Sequence, residues 1–263
     1  MGEQDMSLRT IEDLEADEQV PPASGKSVGS TYELIREAAT TDPERIAIAL
    51  PEGLKRSDRA GRLSYRALLN TIHQIANLLA DLGVEPTDVI ALLLPQLLEA
   101  HLVLWGGQAA GIVCPISPWL PVEQIVALLQ AAQAKLLVAP GSQVSHGLRQ
   151  KAERVRRQVK SITLVLQVRG PGKERDAVYA FDALLADYPA DHLQSGRDIA
   201  PDDIAVYLPT GSLTGTSSLL PLTHGHLLYV ARVISLVTML APEEVLLGGL
   251  SRFNQAWWPA TDS

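Results

Sequence analysis

A chain of 263 residues with 46% hydrophobic and 20% charged positions can bury a sizeable core, as one large α/β domain or two ordinary ones. Its net charge of −8 argues against a general nucleic-acid or membrane-surface role, which would need a basic balance. Cys114 is the sole cysteine, so no disulfide can close within the chain, and a reducing, cytoplasmic setting is expected.

Residues 1 to 28 are acidic and poor in aromatics, with Pro21, Pro22 and Gly25 toward their end. They read as a mobile arm, or a short helix and linker, without the continuous apolar core of a signal peptide. Thr31 is placed to cap a helix Tyr32–Thr40 that stops at Asp42-Pro43, and a strand Arg45–Leu50 follows. Ser64 caps the clearest helix: Leu68, Leu69, Ile72, Ile75, Ala76, Leu79 and Leu82 recur at three-four spacing until Gly83 ends it.

Beyond it the pattern alternates. Apolar strands are predicted at Asp88–Leu94, Ile112–Ile116, Lys135–Ala139 and Ser161–Leu166. Between them lie helices Leu97–Ala110, Val122–Ala132 and a basic Val144–Gln158. Strands apolar throughout and alternating with helices imply a mostly parallel sheet covered on both faces, an α/β fold. The most membrane-like stretch, Leu102 to Trp119, is broken by Gly106, Gly107, Gly111, Pro115 and Pro118 and reads as helix, turn and strand. Cys114, in an apolar strand, reads as a small core residue. The cations Arg149, Lys151, Arg154, Arg156, Arg157 and Lys160 read as a solvated helix face rather than a polyanion site, since no aromatics interleave them.

The stretch with the most chemistry begins as an apolar strand, Ile204 to Pro209, and breaks into Thr210, Gly211, Ser212, Leu213, Thr214, Gly215 and Thr216. Ser217, Ser218 and Thr223-His224 follow, then a periodic segment predicted as helix Leu227–Leu240. Strand, Gly/Ser/Thr loop, helix suits phosphate binding: glycines admit close approach, successive N–H groups form an anion-binding hollow, and hydroxyls add donors. The common P-loop is excluded, because no Gly-Lys-Ser/Thr follows at the required spacing. His224 and His226 lie two apart at a helix start, which points their rings away from each other, so no metal site is expected of them.

The order Thr-Gly-Ser-x-Thr-Gly-Thr with Thr-His beyond it resembles the phosphate loop of the adenylate-forming (AMP-binding) enzymes: acyl-CoA synthetases, luciferases and adenylation domains of peptide synthetases. Leu63-Ser64-Tyr65-Arg66-Ala67-Leu68, Leu82-Gly83-Val84, Asp88-Val89-Ile90-Ala91, Trp105 to Ile116 and Ala180-Phe181-Asp182-Ala183-Leu184-Leu185 are similar to earlier segments of the same family. The likeness covers about residues 30 to 250. It implies the fold of the family's N-terminal domain and an AMP-forming ligase activity. ATP and magnesium would be used to adenylate a small carboxylic acid, with coenzyme A as acyl acceptor. Thr210, Gly211, Ser212, Thr214, Gly215 and Thr216 would then cradle the β- and γ-phosphates.

Two departures bear on activity. Ser217-Ser218 stand where the family has Pro-Lys, and the run from Ser251 to Trp257-Trp258 does not resemble the family's continuation. The family's base pocket, metal-binding acid and catalytic lysine come later than this, so no catalytic or metal-ligating residue is assigned. The expected organisation is an acidic arm 1–28, a partial AMP-binding domain 29–250 and a divergent tail 251–263. That tail implies a truncated or frame-shifted chain, or a protein-contacting end through Trp257 and Trp258. The alternatives are an inactive remnant acting as an interaction module, and a different nucleotide-binding α/β domain.

Overall fold

The computed structural model describes residues 28–49, 62–171, 177–210 and 218–238. The arm before residue 28, residues 211–217 of the phosphate loop and the stretch after 238 lie outside the described residues.

Seven strands form the main sheet: β3 (Val89–Leu92), β4 (Ile112–Pro115), β5 (Leu136–Pro140), β6 (Leu164–Val168), β7 (Val178–Ala180), β8 (Ile204–Thr210) and β9 (Ser218–Thr223). Their order is β7-β6-β5-β3-β4-β8-β9, parallel throughout except where β9 returns antiparallel to β8. The expected mostly parallel, helix-covered sheet is what is found. Two short strands, β1 (Ile46–Ala49) and β2 (Arg62–Ser64), pair antiparallel in a separate ribbon.

Both faces of the sheet are buried because alternate side chains of each inner strand enter different cores. Ile90 and Leu92 join one cluster with Ile72, Ile75, Leu79 and Leu102. These come from α2 (Tyr65–Asp81) and α3 (Leu98–Ala110). Val89 and Ala91 join the opposite cluster with Ile125, Leu129, Ala152 and Val155. Those belong to α4 (Val122–Ala131) and α5 (His146–Gln158). Each fully buried Leu or Ile contributes about 1.5–3 kcal/mol, so the two clusters carry most of the folding energy. Cys114 is fully buried in the second cluster, as its strand setting predicts.

Local boundaries follow capping chemistry. Ser64 Oγ accepts from Ala67 N, as expected. At α1 (Thr31–Thr41), however, the cap is Ser30, whose Oγ accepts from Glu33 N. Thr31 sits in the first turn because its own hydroxyl is committed to α3 and the last helix, described below. β6 begins at Leu164 rather than Ser161, because Val159 and Ile162 close turns off the end of α5. The Leu102 to Trp119 stretch resolves into α3, β4 and a loop, and no helix among the described residues is long and apolar enough to cross a membrane.

Polar side chains of α2 pin the loop after α6 (Phe181–Leu185). Asn77 Nδ2 donates to the carbonyls of Pro189 and His192, while its Oδ1 accepts from Gln194 N. His73 Nδ1 lies 2.9 Å from Ala190 O and its Nε2 3.0 Å from the Tyr32 hydroxyl.

The Gly106-Gly107 pair sets how closely α3 approaches its neighbours. A Cβ at Gly106 would lie 2.6 Å from Ile75 Cβ, and one at Gly107 2.6 Å from Val113 Cγ2. Gly106→Ala is therefore expected to destabilise the chain by about 1–3 kcal/mol through overpacking, read as a lowered urea midpoint at unchanged slope. An unchanged midpoint would show that α2 and α3 are not in this contact.

Candidate functional site

The strand leading into the expected loop, β8, ends where an α/β sheet presents ligands. β8 runs parallel to β4 with Val206 opposite Val113, so Thr210 leaves the sheet at the edge where Leu92, Pro115 and Pro140 also end. Connections at this carboxyl edge are the usual ligand-binding positions of such folds.

The segment after the loop corrects the strand-loop-helix expectation. Ser218–Thr223 is a strand, β9, pairing back on β8 with Thr210 opposite Ser218, Tyr207 opposite Pro221 and Ile204 opposite Thr223. The expected loop residues thus connect two paired antiparallel strands, and α7 (His224–Val237) begins three residues earlier than the periodicity predicts. Physically, Leu219-Leu220-Pro221-Leu222 is an apolar run too short to separate strand from helix by period alone.

Of the six proposed cradle residues, only Thr210 is among the described residues; Gly211, Ser212, Thr214, Gly215 and Thr216 lie outside them. Thr210 forms the neck of the tip. Its Oγ1 lies 2.7 Å from Ser218 Oγ and 3.3 Å from the Ser218 carbonyl. Ser218, on the facing strand, thus brings a neutral hydroxyl to Thr210.

The hairpin's exit is anchored deeply. Thr223 and His226 form a reciprocal cap: His226 N donates to Thr223 Oγ1, and Thr223 N donates to His226 Nδ1, both at 3.2 Å. His224 N and Gly225 N donate to the carbonyls of Asp203 and Pro201, just before β8. The two histidines are thus not brought together; one caps and the other is core. His224 is 0% exposed, and its Nδ1 lies 2.9 Å from Thr31 Oγ1, which in turn donates to Gln108 Oε1 at 2.8 Å. This contact joins α7 to α1 and α3. Nothing in the periodicity signals it; only a Thr-x-x-His reading as a cap would have located His226.

Sequence reasoning also missed a second device on the same edge. Arg169 grips Glu99 bidentately, Nε to Oε1 at 2.7 Å and an Nη to Oε2 at 3.0 Å. Its backbone N donates to Asp182 Oδ2 at 2.7 Å. The pair ties the first turn of α3 to the exit of β6. The available signal was a single carboxylate in the apolar run Leu97 to Leu104, since a buried acid needs a partner.

Other candidates are inert. Burial pushes the Cys114 thiol up to about 12, so it is not a nucleophile at neutral pH. An open cavity of about 580 Å³ is lined by Asp88, Val89, Gln133, Tyr207, Leu219 and Pro221, between the start of β3 and the β8–β9 pair.

His224 makes the anchor pH-sensitive. Burial, and secondly the Arg197 guanidinium, lower its pKa from 6.5 to about 4, against an opposing Asp203. A lowered folded-state histidine pKa means the unfolded chain takes up the proton first. The stabilisation is fully present above about pH 6.5 and is lost as pH falls toward about 4, by at most about 3 kcal/mol. Urea titrations across that window should show the loss in the wild type, and His224→Gln should flatten it. An equal acid slope in both would remove His224 as its source.

Comparison with known proteins agrees with this geometry. The chain is 27% identical over 218 residues to the marinolic acid–CoA ligase of Pseudoalteromonas sp. (strain SANK 73390), covering 82% of this chain and 33% of that protein. It is 28% identical over 131 residues to tyrocidine synthase 1 of Brevibacillus parabrevis, covering 49% of this chain and 11% of that protein. The long-chain-fatty-acid–CoA ligase FadD1 of Archaeoglobus fulgidus shares its fold, with a TM-score of 0.73 at 19% identity over 86% of this chain and 43% of that one. The chain thus spans about a third of the length of the ligase it matches. A model of the AMP-binding enzyme family matches residues 35–255, so this chain belongs to that family.

Proposed function

We propose that the chain carries the phosphate-handling part of an AMP-forming acid–thiol ligase. In that reaction a carboxylate oxygen attacks the α-phosphorus of ATP, the bond to the bridging oxygen breaks, and pyrophosphate leaves; a thiol such as coenzyme A then displaces AMP from the acyl adenylate. What supports the reading is that β8, the strand entering the family's loop pattern, ends at the carboxyl edge of the sheet within the span that the family model matches.

Within the tip, Gly211 and Gly215 let backbone N–H groups approach the β- and γ-phosphates, while Thr210, Ser212, Thr214 and Thr216 add hydroxyl donors. Residues 29–250 form this unit, with 1–28 and 251–263 as flanks and Trp257 and Trp258 as a contact for a protein partner. Thr210 holds the neck through Ser218, and the Thr31–His224 contact keeps the hairpin's exit in place behind it.

A second reading is favoured by Ser218. A charge-assisted contact is worth about 1.5–3 kcal/mol, and its loss leaves a loop that binds weakly and works as a binding or interaction module without completing the reaction.

Titration calorimetry with ATP-Mg should give heat, and Ser218→Lys should tighten binding about tenfold or more. Pyrophosphate release with added carboxylic acids then separates the readings. Heat without pyrophosphate supports the binding module, and no heat from either protein would sink both.

A further inference from the structure

The whole-chain charge of −8 conceals a sharp asymmetry. Residues 146–160 hold six cations, Arg149, Lys151, Arg154, Arg156, Arg157 and Lys160, against the single carboxylate of Glu153. In α5 the apolar side, Ala152 and Val155, is buried against the sheet, while Arg154, Arg157 and, just past the helix end, Lys160 are exposed. Glu153 lies 3.6 Å from Arg157, with both side chains largely in solvent, so the neutralisation is slight.

The fold places an aromatic beside this helix that the sequence separates from it. Lys151 Nζ donates to the carbonyls of Pro118 and Leu120, at 2.8 and 3.0 Å. Both peptide oxygens flanking Trp119 are thus drawn in toward α5, and the Trp119 ring stands 73% exposed between Pro118 and Pro121. Trp119 is a large apolar side chain left exposed on a loop that Lys151 ties to α5 at two carbonyls.

We propose that Trp119 and the outer face of α5 form a docking surface for an anionic lipid bilayer. Tryptophan partitions to the level of the headgroups, where its ring is apolar and its N–H remains wet. Lys and Arg within a Debye length of anionic lipid are each worth about a factor of five in affinity. One protruding ring beside a convex helix suits a flat surface. A single-stranded nucleic acid would want a groove with successive stacking rings, and this face offers one ring. The interaction is peripheral and reversible, since no helix among the described residues can span.

The test is co-sedimentation of the full chain with vesicles of phosphatidylcholine alone and of an equimolar phosphatidylcholine–phosphatidylglycerol mixture. Binding is expected only to the anionic vesicles and should fall steeply with added salt. Trp119→Ala should weaken it about tenfold. Neutralising Arg154, Arg157 and Lys160 to Gln should weaken it about 100-fold. A control with Arg154→Lys and Arg157→Lys, folded by circular dichroism, should bind as the wild type does. Equal binding to neutral vesicles, no binding at all, or indifference to the Gln substitutions would overturn the proposal. So would loss of binding in the charge-keeping control, or preferential capture of a single-stranded oligonucleotide by the same residues.

Discussion

Leu92 and Val113 stand on adjacent parallel strands from which water is excluded on both sides, and the arrangement of the whole chain follows from that exclusion. A parallel strand cannot turn straight back into its neighbour, so each connection must cross over, and the crossing helix covers a face. Helices α2 and α3 close one face, α4 and α5 the other, and the backbone polar groups of the inner strands are spent on one another. Every strand then delivers its exit to one edge. Chemistry gathers there because only at that edge does the backbone leave the sheet with groups to spare.

The hairpin β8–β9 departs from this economy. It is the only antiparallel pairing in the main sheet among the described strands, and it joins β8 to a returning strand rather than directly to a helix. A tip owes its position to what holds its base. Here the base is held by the Thr210–Ser218 hydroxyl pair, by the reciprocal Thr223–His226 cap, and by His224 buried against Thr31 and Gln108. Ser218 contributes to this base a hydroxyl that joins Thr210 across the two strands.

Buried polar contacts supply what apolar packing lacks, which is a unique register between elements. Glu99 with Arg169, His224 with Thr31, and Asn77 with the 189–194 loop each join segments far apart in the chain. Their desolvation limits the stability they add, but each specifies one docking among many that an all-apolar surface would tolerate. Charge behaves alike at larger scale: a net −8 describes the whole surface, while α5 concentrates cations beside an exposed ring.

The residue pattern alone determined the alternation of buried strands and amphipathic helices, the Ser64 cap, the core placing of Cys114 and the family of the loop. These are local properties: period, side-chain volume and glycine spacing act within a few residues, so they can be read in order. The tertiary structure decided the rest. It turned Leu219–Leu222 into a returning strand and gave the α1 cap to Ser30 by engaging Thr31 elsewhere. It separated the roles of His224 and His226, and it brought the loop carrying Trp119 to Lys151. Each of those outcomes depends on a partner tens of residues away or on competition between burial and pairing, and a linear pattern carries no record of distance through space.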